Sequence, residues 1–198
     1  MMQNKKIYAV TGGIGSGKTA VCRILAEFGY PVFSCDVVYA ELTRGGQLVD
    51  RLEEVFKGVK NADGSLNRKT LSAKVFGDID ALNKLNSITH PAIMDSLFAR
   101  AMAAEGSIVF CEVPLLFENG FQSRFDGVIV IMRSLEERVN SVIERSGLKR
   151  AEVTKRINAQ FDYQSADLSK YYVVDNDGDM AELTKKVKKI LQKIIKTA

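Results

Sequence analysis

Gly12-Gly13-Ile14-Gly15-Ser16-Gly17-Lys18-Thr19 is preceded by the apolar run IYAVT (Ile7–Thr11) and followed by AVCRILAEFG (Ala20–Gly29), and this stretch decides the fold. The octet satisfies G-x-x-x-x-G-K-[ST], the phosphate-binding P-loop, which a strand must enter and a helix must leave. Both flanks comply. The run before it is short, apolar and β-rich. After it, Val21, Ile24, Leu25 and Phe28 fall on one helical face, and Gly29 stops the helix. Glycines let the backbone curl so that successive N–H groups point at phosphate oxygens. The helix N-terminus adds the positive end of its dipole. Lys18 is expected to reach the β- and γ-phosphates, and the Thr19 hydroxyl to bind Mg²⁺. The candidate ATP contacts are therefore Gly12, Gly13, Ile14, Gly15, Ser16, Gly17, Lys18, Thr19 and Ala20. A Rossmann alternative fails, because no G-x-G-x-x-G can be drawn through these glycines.

Working outward, Pro31–Ser34 (PVFS) is a second short strand, completing a right-handed βαβ unit. From about Val37 to Glu105 no strand pattern appears. GQLVDRLEEVF, RKTLSAKVF and ALNKLNSITHPAIMDSLFARAMA read as helices, the last broken at Pro91, and Asn61–Ser65 (NADGS) as a turn. Strands resume at Ser107–Glu112 (SIVFCE) and Gly127–Met132 (GVIVIM), the latter so apolar that it belongs inside a parallel sheet. Residues 134–164 read as helical and rich in arginine, and Tyr171–Val174 (YYVV) as a last strand. A final helix sets Leu183, Val187, Ile190, Leu191 and Ile194 opposite its lysines. The pattern is α/β: a P-loop NTPase three-layer core with a parallel sheet, interrupted by a helical insertion.

With 198 residues, 46% of them hydrophobic, the chain can bury one sizeable core plus an insertion. Its formal charge of +4 comes from the last helix, since omitting Lys185, Lys186, Lys188, Lys189, Lys193 and Lys196 would turn it negative. A solvated helix face explains those lysines, and no nucleic-acid partner is expected. Cys22, Cys35 and Cys111 form no C-x-x-C, which argues against a disulfide framework or zinc site and suits a reducing cytosol. The first residues show no signal-like apolar region, and no run approaches the roughly 18 apolar residues of a membrane span. A cytoplasmic protein without membrane contact is expected, as a monomer or weak homo-oligomer.

A P-loop specifies a nucleoside triphosphate without specifying a function. A GTPase guanine reader N-K-x-D is missing: Asn83-Lys84-Leu85-Asn86 lacks the aspartate. Asp175-Asn176-Asp177-Gly178 matches D-x-x-G but lies near the C-terminus. The small size favours a kinase of a metabolite or nucleotide, which needs a carboxylate near the attacking hydroxyl and a cationic lid. Asp36 follows the second strand, at the edge where the P-loop opens, and is the candidate base; its alternative is N-cap of the helix beginning Val37-Val38-Tyr39. Glu112 ends a strand and is a candidate Mg²⁺ ligand, with a surface charge as the alternative. Arg138, Arg145, Lys149, Arg150 and Arg156 supply the lid cations, Arg145 foremost, although Glu136, Glu137, Glu144 and Glu152 are near enough to pair with them on a plain solvated face.

Taken together these residues resemble the dephospho-coenzyme A kinase family along nearly the whole chain. TGGIGSGKT, Asp36, DGSLNRKTLSAKVF, LNSITHPAI and EVPLLFENG are similar to its landmarks, in its order. The resemblance implies three parts: a nucleotide core (residues 1–36 and 107–198), a helical acceptor domain (37–106) and a lid (about 138–160). It implies transfer from ATP with Mg²⁺ to the ribose 3′-hydroxyl of dephospho-coenzyme A. Lys18, Asp36 and Arg145 would be catalytic, Asp36, Arg68 and His90 on the acceptor side, Asn176 on the nucleotide side, and Thr19 and Glu112 on the metal. There are departures. Where the family's lid usually reads Gln-x-x-Arg-x-x-x-Arg, this chain has Arg138, Ser141 and Arg145, so Arg138 stands one turn before a lost arginine as a candidate replacement. Its Arg-Ile-x-x-Gln element is present as Arg156, Ile157 and Gln160, but the usual lysine and Ala-Asp before the last strand correspond to Ala166, Lys170 and Tyr171. Two further readings remain: another P-loop small-molecule or nucleoside monophosphate kinase, and a nucleotide-dependent regulatory switch.

Overall fold

The computed structural model describes residues 5–197. In chain order it contains β1 (Lys6–Thr11), α1 (Lys18–Glu27), β2 (Val32–Ser34), α2 (Cys35–Leu42), α3 (Gln47–Phe56), α4 (Arg68–Val75), α5 (Ile79–Ala103), β3 (Ile108–Glu112), a 3-10 turn (Phe121–Arg124), β4 (Gly127–Met132), α6 (Leu135–Ser146), α7 (Arg150–Asn158), β5 (Tyr172–Asp175) and α8 (Met180–Thr197). The chain forms two compact units, one from the residues up to Val32 together with those from Ala104 on, the other from Phe33–Ala103.

The first unit carries a five-stranded sheet in the order β2-β3-β1-β4-β5, with β2 at the passage between units. β1 pairs parallel with β3 (Tyr8 opposite Phe110) and with β4 (Ala9 opposite Val128), and β4 pairs parallel with β5 (Val130 opposite Val173). The apolar GVIVIM run is thus paired on both sides, as its composition predicts. Strand alternation sends Tyr8, Val10, Phe110, Ile129 and Ile131 to one face, where Val21, Ile24 and Leu25 of α1 and Leu183, Val187, Leu191 and Ile194 of α8 complete the core. Each such side chain, fully buried, contributes roughly 1.5–3 kcal/mol relative to exposure. Ala9, Val109, Val128 and Val130 on the opposite face are equally buried.

The second unit is helical. Leu48, Val49, Leu52 and Phe56 of α3 pack with Val59, Leu66, Leu71 and Ile88. Lys57 adopts φ 36°, rare for a side-chain-bearing residue. The following turn is tied down by the Glu53 carboxylate, which accepts from the Gly58, Val59 and Lys60 amides at 2.7, 2.7 and 2.8 Å. The amide of Gly58 first, then that of Lys60, hold this carboxyl below its usual range. The break expected at Pro91 is absent: α5 runs from Ile79 to Ala103 through it. Proline removes one ladder bond and crowds the preceding turn. Packing against α2, α3 and α4 holds the helix through that defect, and the hydroxyls of Ser87 and Thr89 bond back to Lys84 and Leu85 on the turn before it.

Candidate functional site

β1 delivers the chain into the glycine loop at Thr11, and α1 starts at Lys18. Gly17, the residue before the helix, has φ 95°, and a side chain there would strike the Asn176 amide. The turn therefore requires glycine both for its left-handed backbone and for the close approach. Lys18 Nζ donates to Gly12 O at 2.8 Å and to Gly13 O at 3.1 Å, so its ammonium sits over the loop's own backbone. The Thr19 hydroxyl donates to Glu112 Oε1 at 3.4 Å. The two residues expected to hold a divalent cation, from the start of α1 and the end of β3, are thus neighbours. Both offer oxygen, which suits a hard cation such as Mg²⁺. Among the described residues no group of three or more His, Cys, Asp or Glu gathers, so phosphate and water oxygens would complete the shell.

Asn176 follows β5. It is buried, its Nδ2 donates to Ser16 O at 2.8 Å, and its N–H donates to Met132 O at 2.9 Å. Asp177 Oδ1 accepts the Ser134 amide at 2.8 Å just ahead of α6, and that bond holds its carboxyl below the usual range. Arg138, on α6, is buried against the loop, and its Nε donates to Ile14 O at 3.0 Å. Burial lowers its pKa from the ordinary guanidinium value. Arg145 stands exposed in the last turn of the same helix.

Several groups around the loop had no role from sequence. Arg133 Nη1 lies 3.5 Å from Gly15 O, and its Nη2 donates to Glu137 at 3.0 Å. Gln160 Oε1 accepts the Ile14 amide at 2.7 Å. Tyr163 is buried with its hydroxyl 3.3 Å from Thr11 Oγ1, and burial pushes its pKa up to about 12. The helical reading of residues 134–164 overshoots here: α7 ends at Asn158. Beyond it Phe161 stacks on Phe117 (4.6 Å, 14°), and Tyr163 and Tyr171 meet Phe117 edge-on at 5.6 and 5.3 Å. Leu135, Arg138, Ile157, Gln160, Phe161 and Tyr163 help to line a cavity of about 400 Å³, within the range that holds small ligands. A smaller crevice reaches Ser16 and Arg133. Ser16 Oγ and Arg133 Nε are buried there without a hydrogen-bond partner among the described residues.

Asp36, Arg68 and His90 belong to the second unit. Asp36 is exposed in the first turn of α2, and Ser34 is the N-cap: its Oγ accepts the Asp36 amide at 3.3 Å. The capping role considered for Asp36 therefore falls to Ser34, which leaves the carboxylate outside the cap. Arg68 Nη2 donates to Thr43 Oγ1 at 2.9 Å, and its guanidinium lies 5.3 Å from the centre of the Tyr39 ring. His90 is half-buried on α5.

The family model for dephospho-CoA kinase matches residues 6–182 of this chain. A dephospho-CoA kinase of Thermus thermophilus is 34% identical over 188 residues, covering 95% of this chain and 91% of that protein. One of Corynebacterium jeikeium is 36% identical over 182 residues, covering 90% and 94%. Among solved structures, TT1252 from Thermus thermophilus superposes with a TM-score of 0.83 at 34% identity, covering 96% of this chain and 98% of that one.

Proposed function

The chain belongs to the dephospho-CoA kinase family, and from that premise we propose that it transfers the γ-phosphoryl group of ATP to the ribose 3′-hydroxyl of dephospho-CoA. The observation that carries this reading is the Thr19 hydroxyl beside the Glu112 carboxylate, one residue from Lys18 on a glycine loop. In the reaction the 3′-oxygen forms a bond to the γ-phosphorus while the bond to the β-bridging oxygen breaks, and ADP leaves with that electron pair. The hydroxyl proton passes to the Asp36 carboxylate and on to solvent. Lys18 shifts from the loop carbonyls to the β- and γ-phosphates, where its charge opposes the charge that gathers on the transferring group. Bound Mg²⁺, with Thr19 and Glu112 as its protein ligands, would neutralise phosphate charge and orient the chain of phosphates.

Residues 37–106 serve as the acceptor domain in this proposal, with Arg68 and His90 binding anionic groups of dephospho-CoA, and residues 138–160 serve as the lid, with Arg145 closing on the γ-phosphate. The exposure of Arg145 and Asp36 supports these roles, since both side chains are available to a ligand. The α/β core, with its five-stranded parallel sheet, supports the nucleotide half. No described helix is long and apolar enough to cross a membrane. The test is an acceptor panel with radiolabelled ATP. Dephospho-CoA should be phosphorylated, with coenzyme A and ADP formed in equal amounts. Labelling of nucleoside monophosphates with none of dephospho-CoA would overturn the assignment.

A further inference from the structure

Five consecutive carbonyls of the loop accept from side chains. Lys18 takes those of Gly12 and Gly13, and Arg138 Nε takes Ile14 at 3.0 Å. Arg133 Nη1 approaches Gly15 at a long 3.5 Å, and Asn176 Nδ2 takes Ser16 at 2.8 Å. The C=O and N–H of one planar peptide point in opposite directions. The Ile14 carbonyl that Arg138 fixes therefore turns the N–H of Gly15 to the other side, where an anion can be gripped, whereas the Ile14 and Ser16 amides are already taken by Gln160 Oε1 and Gly13 O. Two glycines make the contact with α6 possible. A Cβ on Gly13 would lie 2.7 Å from Arg138 Cζ, and one on Gly15 would lie 3.0 Å from Arg138 C and Cα. The helix thus rests on the loop through both the backbone and the guanidinium of one residue.

Arg138 is 8% exposed, and among the described residues no carboxylate pairs with it. A buried cation without a counter-charge is costly, and burial accordingly weakens its hold on its proton. A polyphosphate on the adjoining loop would supply the missing negative charge.

We propose that Arg138 is a positioning residue for the triphosphate: seated on Gly13 and bonded to Ile14 O, it locks the loop in its anion-binding shape and makes that shape depend on helix α6. This rests on the nucleotide half of the proposed function and adds to it a residue that acts through the loop backbone, not by touching the phosphates. Inorganic tripolyphosphate isolates the effect, because it needs no base pocket and no acceptor. Arg138→Gln and Arg138→Lys should each weaken tripolyphosphate and ADP by roughly 10-fold, the scale of one charge-assisted hydrogen bond. Adenosine affinity should not change, and KM for ATP should rise more than kcat falls. A role confined to folding would instead lower the melting temperature and leave the affinity of the folded protein for tripolyphosphate intact, and that result would overturn the proposal.

If neither variant folds, the unsubstituted protein decides. By NMR the Arg138 Nε–H should be protected from solvent exchange both with and without tripolyphosphate. Loss of protection on binding would mean that the guanidinium leaves Ile14, and the proposal would fail. Failure of the unsubstituted protein to bind either tripolyphosphate or ADP would be a different result, removing the P-loop reading itself.

Discussion

Gly13→Ala is a one-carbon change whose cost is set by a single neighbour. Gly13 is not among the glycines with positive φ, so alanine can adopt its backbone conformation without strain. Taken alone the exchange would stabilise by about 0.4–1 kcal/mol, because alanine narrows the unfolded ensemble. The new Cβ would lie 2.7 Å from Arg138 Cζ and 3.3 Å from Arg138 Nε, whereas carbon atoms pack best at about 3.5–4.0 Å. The guanidinium must move by about 1 Å, and its 3.0 Å bond to Ile14 O does not survive that shift. Losing a charge-assisted bond costs about 1.5–3 kcal/mol, which leaves a net destabilisation of about 1–2 kcal/mol. With a urea slope near the upper end of about 1–3 kcal/mol/M, the midpoint should fall by roughly 0.5 M at unchanged slope. The decisive arm is the double variant. With Arg138→Ala in place the obstacle is gone, so adding Gly13→Ala should be neutral or stabilising, and the coupling should reach about 1.5–3 kcal/mol. Additivity within about 0.5 kcal/mol, the behaviour of independent sites, would refute the contact and with it the account of why position 13 is glycine.

Two further outcomes concern other residues. Asp36→Asn should lower kcat by about 10²–10⁴-fold, the usual contribution of a general base, while ADP titration gives an unchanged affinity; full turnover by this variant would remove Asp36 from the chemistry. On the alkaline side, burial pushes the Cys22 thiol up from 9.0 and the Tyr163 hydroxyl up from 10.0, each to about 12. Below those ordinary values both groups are protonated in the folded and unfolded chain alike, and their contribution to stability is complete. As pH rises past them the unfolded chain ionises first, so stability drains until the folded groups ionise too. Urea midpoints should therefore fall steadily from about pH 9 upward, and Cys22→Ala should move the onset toward about pH 10; a flat profile, or one unchanged by the substitution, would show that these groups are not shielded.

What was legible in the sequence was what short-range rules encode. The loop, its entering strand and its leaving helix lie within one contiguous stretch, and α8 announces itself by the spacing of Leu183, Val187, Ile190, Leu191 and Ile194. The failures occurred where distant residues decide. Pro91 reads locally as a break, yet α5 continues because three other helices pack on it. The run toward Gln164 reads as helix, yet Phe161 and Tyr163 leave the helical path for Phe117, more than forty residues earlier. The cap, offered only as the alternative role for Asp36, is by contrast a local matter: Ser34, two residues before it, takes it.

The groups around the phosphate loop are the extreme case. Arg138, Gln160, Tyr163 and Asn176 meet it across sequence separations of 124, 146, 152 and 160 residues, and no periodicity can encode such a meeting. Motifs left a trace of Asn176, in its Asp-Asn-x-Gly run, and of Gln160, in its Arg-Ile-x-x-Gln element; for Arg138 the trace was chemical. Arginine occupies position 138 where the family resemblance leads one to expect glutamine, and Ser141 stands where it leads one to expect arginine. A lid guanidinium at position 141 would begin one turn further along α6. At position 138 the guanidinium reaches the loop's own carbonyls, and there it is buried. The guanidinium at 138 is fixed to the loop backbone at Ile14 O, and under the proposal above part of the work of organising a triphosphate would be done before the nucleotide arrives.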